Sequence, residues 1–447
     1  MTASRHSLAT ATSPPASAPK SPLRIAIAGL GTVGGGVAKA LLAREQELSA
    51  RAGRKLETVM ITAQDRTKDR GFDMSDIPWA DDLQALVSGD ADVVVELIGG
   101  DEGPARTLVE KSLAAGKHVV TANKALLAKH GAALAVLAED MGVSLKFEAA
   151  AAGGIPIVKA LRESLIAYGI DAVRGVLNGT CNYILTQMEA TGRSFADVLV
   201  EAQKLGYAEA DPALDVGGGD TAHKLAVLSA LAFGVKPDAA GITTQGIEEI
   251  TPEDIAFAKE FGYRIKLLGI ARQTPQGLDQ RVQPAMVKIG TPLADVEGVF
   301  NSIVAHAGAA GPFFFEGRGA GEAPTSSAVI ADIVDIARGF DGAVFGRAAH
   351  ELMDAKPAPS EARVSPYYLY LNVKDSPGVL SEMAGHLAKA GVSIESMIQR
   401  GRAPGNTVVI VMITHECAET AITRALKAIA ASDKVRAKPR MIPMEVG

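Results

Sequence analysis

Cysteine is scarce in this chain: Cys181 and Cys417 are the only two in 447 residues. They are too few and too far apart for a disulfide framework and lack metal-ligand spacing. Both read as small buried apolar residues rather than nucleophiles. A reducing cytoplasm suits such a chain. Long apolar runs are missing too; none nears the ~20 residues that a membrane helix needs. Nor is there an excess of positive charge. With 45 Lys and Arg against 51 Asp and Glu, the net charge of −6 argues against a nucleic-acid or anionic-membrane surface. Residues 1–22 contain no acid and no apolar periodicity. Arg5 and Lys20 give them a faint transit-peptide flavour, but they lack a secretory h-region and read as a disordered tail. What is present is 47% apolar residues, enough for a globular protein of two or three domains at this length.

LRIAIA, Leu23 to Ala28, predicts a short buried strand, and GLGTVGGG follows at once, opening a helix that runs to about Ala50. G-x-G-x-x-G thus stands where it carries meaning, after a strand and before a helix. Gly29 lets the chain turn, Gly31 lets backbone approach a pyrophosphate, and Gly34 lets the helix pack on the strand. Leu30, Thr32 and Val33 fill the turn between them, and the free N–H groups of the helix start would hold the phosphates. ETVMIT, ADVVVELIGG, KHVVTAN and VSLKFEA read as further strands with helices between most of them. Asp65, Arg66 and Lys68 follow the second strand. An acid there holds the ribose 2′-OH of NAD and a base the 2′-phosphate of NADP; both are present, so the choice stays open. ELIGG, with Ile98 and Gly99, and TANK, ending on Lys124, fall at carboxyl ends of strands, where open α/β sheets place ligands.

The stretch GYAEADPALDVGGGDTAHK, Gly206 to Lys224, is rich in acids and breaks at three glycines before an apolar helical run. Asp220 is expected to cap that helix by accepting from backbone N–H groups. Lys224 lies four residues on, along the same face. One reading is a solvated cap with a weak ion pair. The other is an acid and an amine that together bind a polar substrate and move a proton. His223 points about 100° away from Lys224 around the helix and reads as packed or solvated.

The blocks GLGTVGGGV, VVVELIGG, GKHVVTANKALLA, FEAAAAGGIPIVKAL, VLNGTCNYIL, GYAEADPALD and GRGAGEAPTSSAV resemble homoserine dehydrogenases, over nearly everything from Leu23 to about Arg338. That resemblance implies NAD(P)-dependent interconversion of homoserine and aspartate 4-semialdehyde, on the branch leading to threonine and methionine. It implies Lys224 as the proton-transfer lysine with Asp220 beside it, and Glu209 as the acid for the substrate's amino group, with Asp215 in the same pocket. Lys124 matches the lysine near the nicotinamide end, and Asn178, Gly179 and Thr180 the loop along cofactor and substrate. Gly319 and Gly321 match a returning segment on the cofactor. Glu148 with the carbonyls of Ala151, Gly153 and Ile155 matches a monovalent-cation loop, for Na+ or K+. The chain departs from the family pattern at Gly217, where many relatives have an acid, at Ala151, where many have valine, and at Gln64, where an arginine often precedes the aspartate.

Further on, the sequence predicts a helix at IPIVKALRESL, a strand at VRGVLN, helices through 181–234 and strands within 271–289. A long helix, Ala323 to Phe340, is expected to return to the nucleotide sheet. After a Pro/Ser/Ala linker, YYLYLNV, KDSPGVLSEMAGHLAKAGV, SIESMIQR, NTVVIVMITH, 418–431 and KVRAKPRMIPM complete a βαββαβ order that resembles an ACT domain, a regulatory amino-acid-binding module. Asp375, Gly378 and Val379 lie on its effector turn; threonine feedback is the implied role, and pure oligomerisation the other. The fold class is therefore α/β: a Rossmann-type dinucleotide-binding domain at 23–153 completed by 320–340, an α+β catalytic and dimerisation domain at 154–319, a linker at 341–363 and an ACT domain at 364–447. A homodimer or homotetramer is expected by resemblance. Two rivals remain: another amino-acid-linked dehydrogenase, and a cofactor-binding sensor without turnover.

Overall fold

Continuous Val, Ile, Leu and Ala runs without polar alternation are suited to strands covered on both faces, and this is how the first third of the chain is built. A computed structural model describes residues 20–401 and 406–445 of the chain, so most of the expected N-terminal tail lies outside the described residues. Among the described residues, β1 (Leu23–Ala28), β2 (Leu56–Thr62), β3 (Val93–Glu96), β4 (His118–Thr121) and β5 (Leu145–Lys146) form a parallel sheet in the order β2-β1-β3-β4-β5. Chain order reverses between β1 and β3, which places a crevice at their carboxyl ends. The helices Leu83–Ser88 and Pro104–Ala114 pack on one face. The other is covered by Thr32–Ala43 and by the returning helix Glu322–Arg338. Gly36 makes that second pairing close, since a Cβ there would lie 2.5 Å from the Ser326 hydroxyl.

The next unit is a sheet with helices on one side. It comprises β6 (Ala172–Val176), β7 (Thr243–Thr244), the long hairpin β8 (Tyr263–Thr274) and β9 (Gly277–Lys288), then β10 (Phe300–His306) and β11 (Pro312–Arg318). Neither β10 nor β11 is anticipated from the sequence, because PFFFEGR has no period-2 alternation and stands largely exposed at the sheet edge. The helix expected at 155–165 is a short turn, Ile157–Lys159, that widens into a π-turn over Ala160–Ser164. The helix Gly219–Phe233 lies against β8, buried along most of its length.

The third unit holds β12 (Val364–Ser365), β13 (Tyr367–Lys374), β14 (Ile394–Gln399), β15 (Thr407–Thr414), β16 (Cys417–Ala418) and β17 (Arg440–Glu445), with helices Val379–Lys389 and Glu419–Ala430. Its sheet does not stand apart. β17 runs parallel to β9, with Met444 beside Met286 and Glu445 beside Val287, so the order continues β11-β10-β6-β8-β9-β17-β13-β15-β14. The buried Glu445 carboxylate accepts from Arg174 at 2.9 Å and Arg272 at 2.6 Å, which ties the seam. The expected linker is also packed. Phe345 is buried and tilted against Phe147 at 5.2 Å, and Glu139 accepts the N–H groups of Val344 and Ala349. Its composition signals an irregular path, not a loose one.

Candidate active site

The glycine turn has the shape a dinucleotide needs. Gly29 takes φ 91°, and a Cβ there would overlap the Leu97 carbonyl; one at Gly34 would overlap the carbonyl of Gly29. A Cβ at Gly31 would meet nothing within 4 Å, so the backbone there is open to a phosphate. Leu30, Thr32 and Val33 run from this turn into the first helix. Beside it, the fully buried Glu96 accepts from the N–H groups of Ile98 at 2.8 Å and Gly99 at 3.0 Å, and from the Thr121 hydroxyl at 2.6 Å. One carboxylate thus fixes two strand ends at once. Asn123 continues the link, capping the Lys124–Asp140 helix through Leu126 N–H and donating to the Gly100 carbonyl. At the end of β2, the Asp65 carboxylate accepts from Thr67 hydroxyl and N–H, which holds its pKa below the ordinary value. Arg66 lies 5.6 Å from the Trp79 ring centre. Arg70, which no sequence motif singles out, donates to the carbonyls of Leu30 and Asp65 and so buckles this loop to the glycine turn.

Across the crevice stands the acid–amine pair. Gly218, with φ 88°, is the N-cap of the Gly219–Phe233 helix. Asp220 is therefore inside the first turn, and its carboxylate does not serve as the expected cap. It accepts instead from Lys224 Nζ at 2.7 Å and Asn178 Nδ2 at 2.9 Å, and pairs with Lys124 Nζ at 3.0 Å. Asp220 and Lys224 are 4% and 8% exposed, so this is no solvated pair. Burial acts against the Asp220 charge, but the two ammonium groups outweigh it and hold the carboxyl far below the usual range. Burial likewise opposes the Lys124 ammonium; Asp220, with Asp215 and Glu209 behind it, reverses the balance and raises its pKa. Asp215 is raised, first by burial and then by the Asp220 charge, while Asn178 donates to it at 2.7 Å. Lys224 donates its other bond, 2.7 Å, to the Leu177 carbonyl. The first domain supplies Lys124 from the end of β4 and the second supplies everything else, so the cluster closes the crevice between them.

Four expected neighbours shape its rim. Thr180 donates to the Tyr207 carbonyl at 2.6 Å, fixing the exposed loop that carries Glu209. Gly179 sits where a Cβ would meet the Val299 carbonyl at 2.7 Å, and Gly319 where one would collide with the Asn301 amide. Gly321, at φ 119°, starts the returning helix. His223 faces elsewhere, with a buried Nδ1 that has no partner among the described residues and a pKa lowered by burial. Cys181 is buried and its thiol is pushed well up, first by burial. Asn301, like Arg70, is a residue that sequence reasoning missed, here because it lies on an unanticipated strand.

The loop expected from resemblance to hold a cation is sharply bent. Ala152, at φ 57°, is the one non-glycine residue with positive φ among the described residues, and Gly153 follows at φ 46°. Both Glu148 carboxylate oxygens accept from N–H groups, those of Val158 and Lys159, and the Ile155 carbonyl accepts from Ile157. Burial, then the Asp332 charge, pushes Glu148 up to about 7. The donor set therefore fits a cation only in part, through the carbonyls of Ala151 and Gly153. In the third unit, Gly378 at φ 84° starts the Val379–Lys389 helix, Val379 is buried, and Asp375 N–H donates to the Asn406 carbonyl.

The family model described as "Homoserine dehydrogenase" matches residues 156–334, that described as "Homoserine dehydrogenase, NAD binding domain" matches 29–148, and the ACT domain matches 367–433. A homoserine dehydrogenase of Neisseria gonorrhoeae is 44% identical over 432 residues, covering 95% of this chain and 99% of the relative. The chain belongs to the homoserine dehydrogenase family. It is accordingly an NAD(P)-dependent oxidoreductase with a C-terminal ACT domain. A Thiobacillus denitrificans homoserine dehydrogenase structure is similar at TM-score 0.90 and 42% identity, over 95% of this chain and 98% of that one. A hyperthermophilic archaeal homoserine dehydrogenase in complex with NADPH is similar at TM-score 0.62 and 25% identity, over 72% of this chain and 99% of that one. Among the described residues no helix is long and apolar enough to cross a membrane.

Proposed function

We propose that the cluster of Lys124, Asp220 and Lys224 interconverts L-homoserine and L-aspartate 4-semialdehyde in threonine and methionine biosynthesis, with NAD or NADP as the hydride carrier. The bound nicotinamide takes a hydride from the alcohol carbon or returns it. Lys224 takes the proton from the alcohol oxygen and gives it back in the reverse direction. Asp220 and the Leu177 carbonyl hold the amine in place. Glu209 receives the substrate ammonium, and Asp215 adds negative charge to the same pocket. Lys124 stands at the nicotinamide end, where a substrate carboxylate can reach it. The observation that carries this reading is the Lys124–Asp220 pair, which joins the strand end of the cofactor sheet to the helix bearing Lys224. Steady-state kinetics with homoserine and each cofactor, with and without threonine, test it; no homoserine-dependent NAD(P)H formation would leave a sensor in its place.

Glu209 makes no hydrogen bond through its carboxylate among the described residues, which suits a group reserved for a ligand. Glu209→Gln should raise KM for homoserine roughly tenfold or more, the loss of one charge-assisted bond, with cofactor KM little changed. An unchanged homoserine KM would remove Glu209 from the site.

Threonine is proposed as the effector of the turn at Asp375, Gly378 and Val379. Asp375→Ala should raise the half-inhibiting threonine concentration by about tenfold, as expected for one lost hydrogen bond to an ammonium. Inhibition with wild-type sensitivity would place the effector elsewhere. A homodimer, or a tetramer built from it, is favoured by the open face of the central sheet. There Val287, Leu293, Val304 and Phe314 line a cavity of about 870 Å³. Na+ or K+ would be held by the Ala151 and Gly153 carbonyls, and no catalytic step passes through it.

A further inference from the structure

We propose that Asn301 is a positioning residue for the proton-transfer centre: it holds the Leu177 carbonyl where Lys224 requires it and seats the cofactor-side return segment against the same point. This rests on the reading of Lys224 given above. Asn301 lies on β10, between β6 and β11, and is 2% exposed. Its Nδ2 donates to the Leu177 carbonyl at 2.8 Å, and Lys224 Nζ donates to that same oxygen at 2.7 Å. A carbonyl oxygen has two lone pairs, so the two donors saturate it. The residue after Leu177 is Asn178, whose amide clamps both Asp215 and Asp220. Movement of this one carbonyl would displace an acceptor of Lys224 and the clamp on its counter-ion together.

Two glycines show how tightly the amide is enclosed. A Cβ on Gly319 would collide with the Asn301 carboxamide, so that amide lies flush against the backbone of the return segment. A Cβ on Gly179 would come within 3.5 Å of Asn301 Oδ1. The 177–179 loop, the 318–321 segment and the Lys224 amine therefore share a single reference point. A side chain serving only to satisfy a buried carbonyl would not need to lie against both backbone segments while sharing its acceptor with the Lys224 amine.

The test uses the full-length enzyme with homoserine and its preferred cofactor, and compares Asn301→Leu, Asn301→Asp and Lys224→Ala. Asn301→Leu removes the donor at nearly constant volume. Its kcat should fall roughly 10- to 100-fold, the effect of one well-placed buried hydrogen bond, with homoserine KM and cofactor Kd within about threefold of wild type. Asn301→Asp keeps the shape and can donate only when protonated, so the ratio of its kcat to that of Asn301→Leu should grow as pH falls. Should Asn301→Leu fail to fold, the pH dependence of Asn301→Asp decides alone. Folded variants with wild-type kcat and pH profile, or with losses confined to KM, would overturn the Asn301 proposal while an inactive Lys224→Ala left the site reading standing. A Lys224→Ala enzyme with near-normal turnover would overturn both.

Discussion

Lys224→Ala should lower kcat by roughly three orders of magnitude while leaving cofactor Kd within about twofold of wild type, the separation expected when a proton-transfer group is lost and the binding turn is not. The amine is buried on the second domain's helix, and among the described residues it bonds to Asp220 and the Leu177 carbonyl. Neither belongs to the glycine turn, so cofactor binding has no reason to follow the amine. Stopped-flow measurement of hydride transfer, alongside fluorescence titration of the reduced cofactor, separates the two quantities. Retention of kcat within about tenfold would assign the proton to another group or to water.

The second large effect is on stability as much as on rate. Asp220→Ala leaves Lys124 and Lys224 facing each other without the carboxylate that both contact. Breaking a buried pair in this way costs about 3–5 kcal/mol, because the remaining charges stay desolvated and uncompensated. The variant should therefore denature at a lower urea concentration and lose turnover together. The pH dependence has a definite sign. Asp220 is held far below its ordinary value in the folded chain. Its contribution is accordingly complete above the unfolded carboxyl value, about 4, and drains away as pH falls through the folded one. As pH drops below about 4, the stabilities of wild type and Asp220→Ala should draw together. Parallel curves that keep their spacing down to strong acid would show that the carboxylate charge is not what holds the cluster.

Legibility from sequence follows the range of the interactions. Parallel strands buried on both faces announce themselves as apolar runs, and β1 to β4 lie within a few residues of where the runs are read. The glycine turn is legible for the same reason, since its φ requirement and close contacts are local. Asp220 reads as a cap from spacing alone, yet Gly218, two residues earlier, takes the left-handed conformation that starts the helix. That frees the carboxylate for partners 42 and 96 positions away, Asn178 and Lys124. Resemblance finds those residues; spacing cannot. Asn301 is invisible to both. Its partner Leu177 is 124 positions distant, and the strand that carries it shows no clear alternation.

Because β17 hydrogen-bonds to β9, the ACT domain of this chain is not a bead on a string that an engineer could clip off without disturbing its neighbour. Excision would bare one rim of the catalytic sheet and deprive Arg174 and Arg272 of Glu445. A transplanted module would have to bring both a strand of matching register and an anion at its end, which makes the seam itself a heritable compatibility rule between the two halves of the chain.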